Sequence, residues 1–340
     1  MDRVADAEKS LPSVDMHNGT PIQHQAANQD GLTLSQVALG CELLGGADWG
    51  AIDTEAAMAA ARTAYQRGIT VFDTADVYGL GRSEEVLAEV LGELRTEVTI
   101  CSKFGVNWRP TSPGARAETF RDCRPERVRE ALEGSLRRLR LECVPLYLIH
   151  WPDPAVPIRD TMAALRACQK QGKVMCVGVS NCSPSQIREA HAALPLSVVQ
   201  LPLSLVSAAD SAEAIQCCRG LGIPVMSYGP LAQGFLSGKY GADCRFGSDD
   251  RRHRLPHFGA KFLAARQPAL QCLRRVATRY GKTPAQVALR WALDYPGVST
   301  IVVGAKTPSQ LDENLGAVGW ALSLHDWNSL MAAWNVRTAA

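Results

Sequence analysis

Eight short apolar runs recur from about residue 36 onward: VALG, ITVFD, VTICSK, PLYLIH, VMCVGVS, SVVQL, IPVMSYG and STIVVG. Each is apolar on consecutive positions and rich in β-branched residues. That suits a strand buried on both faces of a parallel sheet, whereas a half-solvated strand would alternate. Segments of helical period separate the runs, over 54–67, 83–91, 125–140, 158–171, 184–193, 212–221 and a longer region through 267–295. Several begin with proline at the first helical position, as in Arg124-Pro125-Glu126 and Ser183-Pro184. Others stop at glycine, as in Arg67-Gly68, Gln171-Gly172 and Arg219-Gly220.

Strand and helix thus alternate eight times with no linker or shift of composition between them. The expected class is α/β, and one closed (β/α)8 barrel over 21–340 accounts for the pattern better than two doubly wound domains. Residues 1–20 carry early acids and no continuous apolar core, which predicts a disordered N-terminal extension rather than a secretory signal. Weak extended runs on either side of 28–31 predict a hairpin capping one end of the barrel. Segments 311–318 and 325–334 read as extra C-terminal helices.

Partners follow from charge. With 36 basic and 34 acidic residues the formal charge is +2, which gives no global field for nucleic acid or acidic membranes and makes a small molecule the expected partner. No run approaches the ~18 apolar residues of a membrane span. The 11 cysteines are scattered with no CxxC pair, a usage that fits a reducing cytosol and predicts no metal site and a cytoplasmic protein. Oligomeric state stays open.

In a barrel of this kind the site forms at the carboxyl ends of the strands. Those ends are polar here: Asp73, Lys103, His150, Ser180-Asn181, Gln200, Tyr228 and Gly304-Ala305-Lys306. Any one of them alone would more often be a cap, a solvated lysine or a packing residue, but seven on one rim form a candidate site. Four have a joint chemistry. The Tyr78 phenol is a weak acid, with an ordinary pKa near ~10, and a nearby Lys103 ammonium would lower it. Asp73 would hold the lysine protonated, and the His150 imidazole would bind a carbonyl oxygen or relay a proton.

FDTADVYG followed by SEE, SKFG with Lys103, LYLIHWPD with His150, GVSN and SYGPLAQGFLSGK together resemble the aldo-keto reductase superfamily, over nearly the whole chain and in order. The resemblance implies a (β/α)8 barrel that binds a nicotinamide dinucleotide, usually NADPH, and interconverts carbonyls and alcohols by hydride transfer. It places the family's tetrad on Asp73, Tyr78, Lys103 and His150, with Tyr78 as proton donor. Ser180, Asn181 and Gln200 would hydrogen-bond the carboxamide, and Tyr228 would stack on the nicotinamide. Gly229, Pro230, Leu231, Gln233 and Gly234 fall in the loop that passes over the pyrophosphate. In VVGAKTPSQLDENLGA, a turn at Gly304 leads to a helix start where backbone donors favour an anion and Lys306 adds a full charge. The resemblance sets Lys306 and Thr307 near a 2′-phosphate, which favours NADPH over NADH, and Gln310 and Asn314 near adenine.

Ser83 reads as a possible N-cap, with Glu84 and Glu85 as first-turn acids. Pro202-Leu203-Ser204 stands where the family often has an aromatic. The charged segment 245–258 reads equally as a grip on an anion or as a solvated loop. Trp49, Trp108 and Trp151 follow strands and would line a substrate pocket suited to a sugar face or an aryl carbonyl. The leading expectation is an NADPH-dependent reductase of a sugar, pyridoxal-like or specialised-metabolite carbonyl. Three alternatives stand beside it: an aldose or alcohol dehydrogenase working oxidatively, an NADP(H)-binding regulatory subunit with weak turnover, and a Schiff-base lyase using Lys103.

Overall fold

The structure, a computed structural model, describes residues 22–26, 31–109, 117–241 and 243–336; the extension expected over 1–20 and the turn at Asn28 lie outside the described residues. The chain begins with an antiparallel pair, β1 (His24–Ala26) and β2 (Thr33–Ser35). Next come β3 (Val37–Gly40), β4 (Val71–Asp73) and β5 (Thr99–Phe104). A second antiparallel pair, β6 (Val106–Arg109) and β7 (Glu118–Arg121), interrupts the sequence. It is followed by β8 (Val144–Ile149), β9 (Val174–Ser180), β10 (Val198–Pro202), β11 (Val225–Tyr228) and β12 (Val298–Val303). Strands β3, β4, β5 and β8 to β12 are parallel neighbours in that order, and β12 pairs back onto β3, which closes a (β/α)8 barrel.

Around it lie α1 (Thr54–Gln66), α2 (Arg82–Leu91), α3 (Pro125–Leu139), α4 (Ile158–Lys170), α5 (Pro184–Ala193), α6 (Ala208–Leu221), α7 (Ala260–Tyr280), α8 (Pro284–Leu293), α9 (Pro308–Leu315) and α10 (Leu324–Ala333). The expected single region 267–295 is two helices. Gly281 turns the chain at φ +60°, and Thr283 then caps α8 reciprocally with Gln286. The break carries the same signals in sequence, a stop at Gly281 and proline after the Thr283 cap, while α7 runs straight through Pro268. Ser83 is also not a cap: it lies inside α2, buried, donating to Cys41 O at 2.7 Å and bonded to Thr74 Oγ1 at 2.9 Å.

The strand period of two divides the core. Val71, Cys101, Leu146, Leu148, Cys176, Val198 and Met226 point into the barrel and pack with Leu32 and Leu34 of the first hairpin, which therefore floors its amino-terminal end. Phe72, Ile100, Phe104, Tyr147 and Ile149 point outward into the layer beneath the helices. Gly178 is needed inside, since a Cβ there would stand 2.4 Å from Val198 O and 2.6 Å from Leu148 Cδ2. The same parity continues upward. Two residues beyond Val71, Cys101, Leu148 and Val198 come Asp73, Lys103, His150 and Gln200, so the alternation that fills the floor also turns these polar groups inward at the rim.

Candidate active site

Lys103 has no exposed surface. Its Nζ donates to Asp73 Oδ1 at 2.7 Å and to Thr74 O at 2.8 Å. The other carboxylate oxygen, Asp73 Oδ2, accepts from Gln200 Nε2 at 2.6 Å. Burial pulls the lysine down, but Asp73 foremost, then Tyr78 and Cys101, carry it above its ordinary value, so it stays an ammonium. The ammonium sits 5.2 Å from the centre of the Tyr78 ring, and the His150 ring meets Tyr78 edge to face at 5.6 Å. Asp73, Tyr78, Lys103 and His150 therefore meet in one cluster. Burial, aided by Lys103, holds the His150 imidazole well below its usual range and hence neutral near pH 7.

The Tyr78 phenol departs from expectation. Lys103 lowers it as expected, but burial raises it more, with Glu42, Asp73 and Tyr228 adding to the rise, so the group lies above its ordinary value. The sequence displays the charge beside a phenol but not the depth of the pocket.

Tyr78 is held by an unusual turn. Gly79 and Leu80 adopt left-handed backbone at φ +59° and +56°, and Gly79 lies so close to Gly45 that a Cβ would fall 2.2 Å from Gly45 O. The LLGG and DVYGLG segments thus fit together through two glycine backbones.

Above the cluster opens a cavity of about 890 Å³, within the range of ligand sites. Ser180, Asn181, Gln200 and Tyr228 line its deep side. Asn181 donates to His150 O at 2.9 Å and accepts from Tyr228 OH at 2.7 Å. Gly229, Pro230, Leu231, Gln233 and Gly234 form one wall, and Gly304, Lys306 and Gln310 the far end. Thr307 instead caps α9, accepting from Gln310 N at 3.1 Å, and Asn314 is buried against Gly304 O. Trp49 and Trp151 line the cavity. Trp108 does not: it projects from β6 and stacks on Arg127 at 5.6 Å.

Sequence reading missed Glu42, Asp48, Val77, Leu80, Val106 and Thr119 on the lining. Glu42 and Val106 stand two residues beyond β3 and β5, and that position was the available signal for them. The segment 245–258 is about half exposed, but its middle is tied to the rim. Asp250 pairs with Trp49, Arg251 N donates to Asp48 O at 3.0 Å, and the Arg251 side chain binds Glu42 and Asp48 while lying 4.9 Å over the Trp49 ring. Arg252 donates to Tyr240 OH at 2.6 Å. Arg251, Arg252 and Lys306 all face the cavity, and Lys306 Nζ donates to Trp49 O at 3.2 Å.

The profile of the aldo/keto reductase family matches residues 36–335. The chain belongs to that family. It is 32% identical to the aldo-keto reductase YhdN of Bacillus subtilis, covering 90% of this chain and 91% of that one. It is 31% identical to the NADP(+) aldo-keto reductase yakc of Schizosaccharomyces pombe, covering 86% of each. Among solved structures, the glycerol dehydrogenase AKR11B4 of Gluconobacter oxydans superposes with a TM-score of 0.83 at 32% identity, over 94% of this chain and 97% of that one. The protein is accordingly an NAD(P)H-dependent oxidoreductase acting between small-molecule carbonyls and alcohols. Among the described residues, no helix is long and apolar enough to cross a membrane.

Proposed function

We propose that this aldo-keto reductase uses NADPH to reduce an aldehyde or ketone to the alcohol, with Tyr78 as general acid. The observation that carries the reading is the buried Asp73–Lys103 pair set beneath Tyr78 and His150 in a cavity that Lys306, Arg251 and Arg252 also line. The residues present fit a phosphorylated dinucleotide. Lys306, Arg251 and Arg252 would meet its phosphates, Tyr228 offers an aromatic face, and Ser180, Asn181 and Gln200 offer amide and hydroxyl groups to a carboxamide. The dinucleotide supplies the hydride; the chain supplies the proton and the geometry.

Burial keeps the Tyr78 phenol protonated at neutral pH, as an acid must be before it acts. When its O–H proton passes to the carbonyl oxygen, a phenolate remains in a site of low dielectric, where it would be costly without the Lys103 ammonium beside it. Asp73 orients that ammonium, and neutral His150 offers a ring N–H to the same oxygen. A lyase mechanism fits poorly, because an ammonium paired to a carboxylate has no lone pair for attack.

A second reading, oxidation of a polyol or alcohol, gains weight from the likeness to a glycerol dehydrogenase. The test is a panel of aldehydes, ketones and polyols followed by nicotinamide absorbance in both directions, beside Tyr78→Phe. Loss of at least ~10²-fold in kcat with NADPH binding retained is expected of the variant. A variant reducing carbonyls at the full rate would remove Tyr78 as the acid. NADPH binding without turnover on any substrate would favour a regulatory subunit.

A further inference from the structure

Asp76 is the carboxyl of FDTADVYG that the proposed reaction leaves unused. It stands two residues before Tyr78, wholly buried on the helix side of the barrel wall. Its Oδ2 accepts from Arg127 Nη2 of α3 at 3.3 Å, while among the described residues nothing hydrogen-bonds Asp76 Oδ1 or Arg127 Nε. An arginine and an ionised carboxylate would ordinarily close two parallel bonds. Glu84 is buried in the same pocket, accepting from Ser102 Oγ at 2.6 Å and from Arg138 Nε at 2.7 Å. The charged and titratable groups facing Asp76 are Glu84 of α2, Arg127 and Arg138 of α3, and Tyr147 of β8. Arg127 in turn stacks on Trp108 of the second hairpin.

We propose that Asp76 is the positioning residue for Tyr78, tying the turn that carries the phenol to α3 and the second hairpin through Arg127. The proposal rests on the reductase reading. The lever is short: Tyr78 N donates to Ala75 O at 3.2 Å, and Asp76 N to Lys103 O at 3.3 Å, so ring and carboxyl leave one turn. Two buried carboxyls cannot both be charged cheaply. Burial, then Glu84, push Asp76 up to about 8, against the pull of Arg127, Arg138 and the Val77 N–H. Near neutral pH it therefore holds the turn as an uncharged acid, its carbonyl oxygen accepting from Arg127. Ionisation above that point sets a second anion against Glu84 and loosens the turn.

Asp76→Ala removes the acceptor, whereas Asp76→Asn keeps an uncharged one of the same shape. Steady-state reduction is measured for wild type and both variants from about pH 6 to about pH 9, beside urea unfolding across about pH 4 to about pH 8. Asp76→Ala is expected to lower kcat at least ~tenfold with the KM for NADPH unchanged. Asp76→Asn is expected to restore kcat to within about twofold near neutrality and to lack the fall that wild type shows above about pH 8. Superimposable kcat profiles for all three proteins, or an Asn variant as impaired as the Ala variant near neutrality, overturn the proposal. If Asp76→Ala does not fold, the profile of Asp76→Asn decides. Unfolding reads the same carboxyl without turnover. A folded state that holds the proton more tightly than the unfolded chain makes wild type lose stability relative to Asp76→Asn as pH rises from about 4 to about 8. A parallel dependence in the two proteins overturns the uncharged acid. A wild type inactive on every carbonyl would sink the reductase reading, and Asp76 would then be judged by unfolding.

Discussion

Gln200 donates to Asp73 at 2.6 Å, on the carboxylate oxygen that Lys103 leaves open, so a residue expected at the cofactor's carboxamide also holds the base of the Asp73, Tyr78, Lys103 and His150 cluster. Both side chains are buried, and an orphaned buried acceptor costs ~1–3 kcal/mol. Gln200→Ala should therefore lower kcat as well as weaken NADPH binding, by ~10- to 100-fold in kcat/KM. Gln200→Glu should be worse, since it sets a second carboxylate against Asp73. Steady-state kinetics with fluorescence titration of NADPH check this; a change confined to NADPH affinity would deny the link to Asp73.

His150 gives stability a slope in acid. The folded protein holds its imidazole well below the value of ~6.5 at which the unfolded chain titrates, so protons bind the unfolded state first. The stability it contributes is present above that value and lost as pH falls below it. Urea midpoints should drop between about pH 7 and about pH 5, and drop less in His150→Gln. His257 acts with the same sign and remains in both proteins, so the difference between them isolates His150. Identical slopes would exclude it as the source.

Lys306 should discriminate between dinucleotides. Its ammonium lines the cavity, and burial first, then Arg252, hold it below its ordinary value, which a phosphate would reverse. Lys306→Ala is expected to raise the KM for NADPH ~tenfold or more while leaving that for NADH nearly unchanged, as for a charge-assisted bond worth ~1.5–3 kcal/mol. Equal losses with both cofactors would move the 2′-phosphate elsewhere.

Gly79→Ala should unfold the site before it unfolds the barrel. The new Cβ meets Gly45 O at 2.2 Å on a left-handed backbone, whereas Gly46→Ala at φ +69° meets nothing within 4 Å. Strain alone costs ~1–3 kcal/mol, so Gly46→Ala measures that component and Gly79→Ala must exceed it. Chemical denaturation and kcat are read together. Equal costs at the two positions would mean that the glycine contact is not what seats Tyr78.

Most of the barrel is legible in the sequence because each strand is a consecutive apolar run, and the same parity that buries Val71, Cys101 and Leu148 sets Asp73, Lys103 and His150 at the rim. What escapes is what depends on contacts between distant segments. The second hairpin, though local, hides because VNWR and ETFR are half-exposed and neither forms a consecutive apolar run. Glu84 is the first-turn acid it looks like, but its buried bond from Arg138 of α3 shows only in the fold, and Trp108 looks like a pocket wall until Arg127 takes its face. Segment 245–258 is ambiguous alone because its arginines find their carboxylates on Glu42 and Asp48, some two hundred residues earlier.

The packed barrel interior, sealed at its floor by Leu32 and Leu34 of the first hairpin, leaves the cavity open only at the rim. Two reactants then share one mouth. If the nicotinamide lies against Tyr228, as proposed, the carbonyl must rest above it, so the dinucleotide has to arrive first and depart last, and its dissociation becomes a candidate for the slowest step of the cycle.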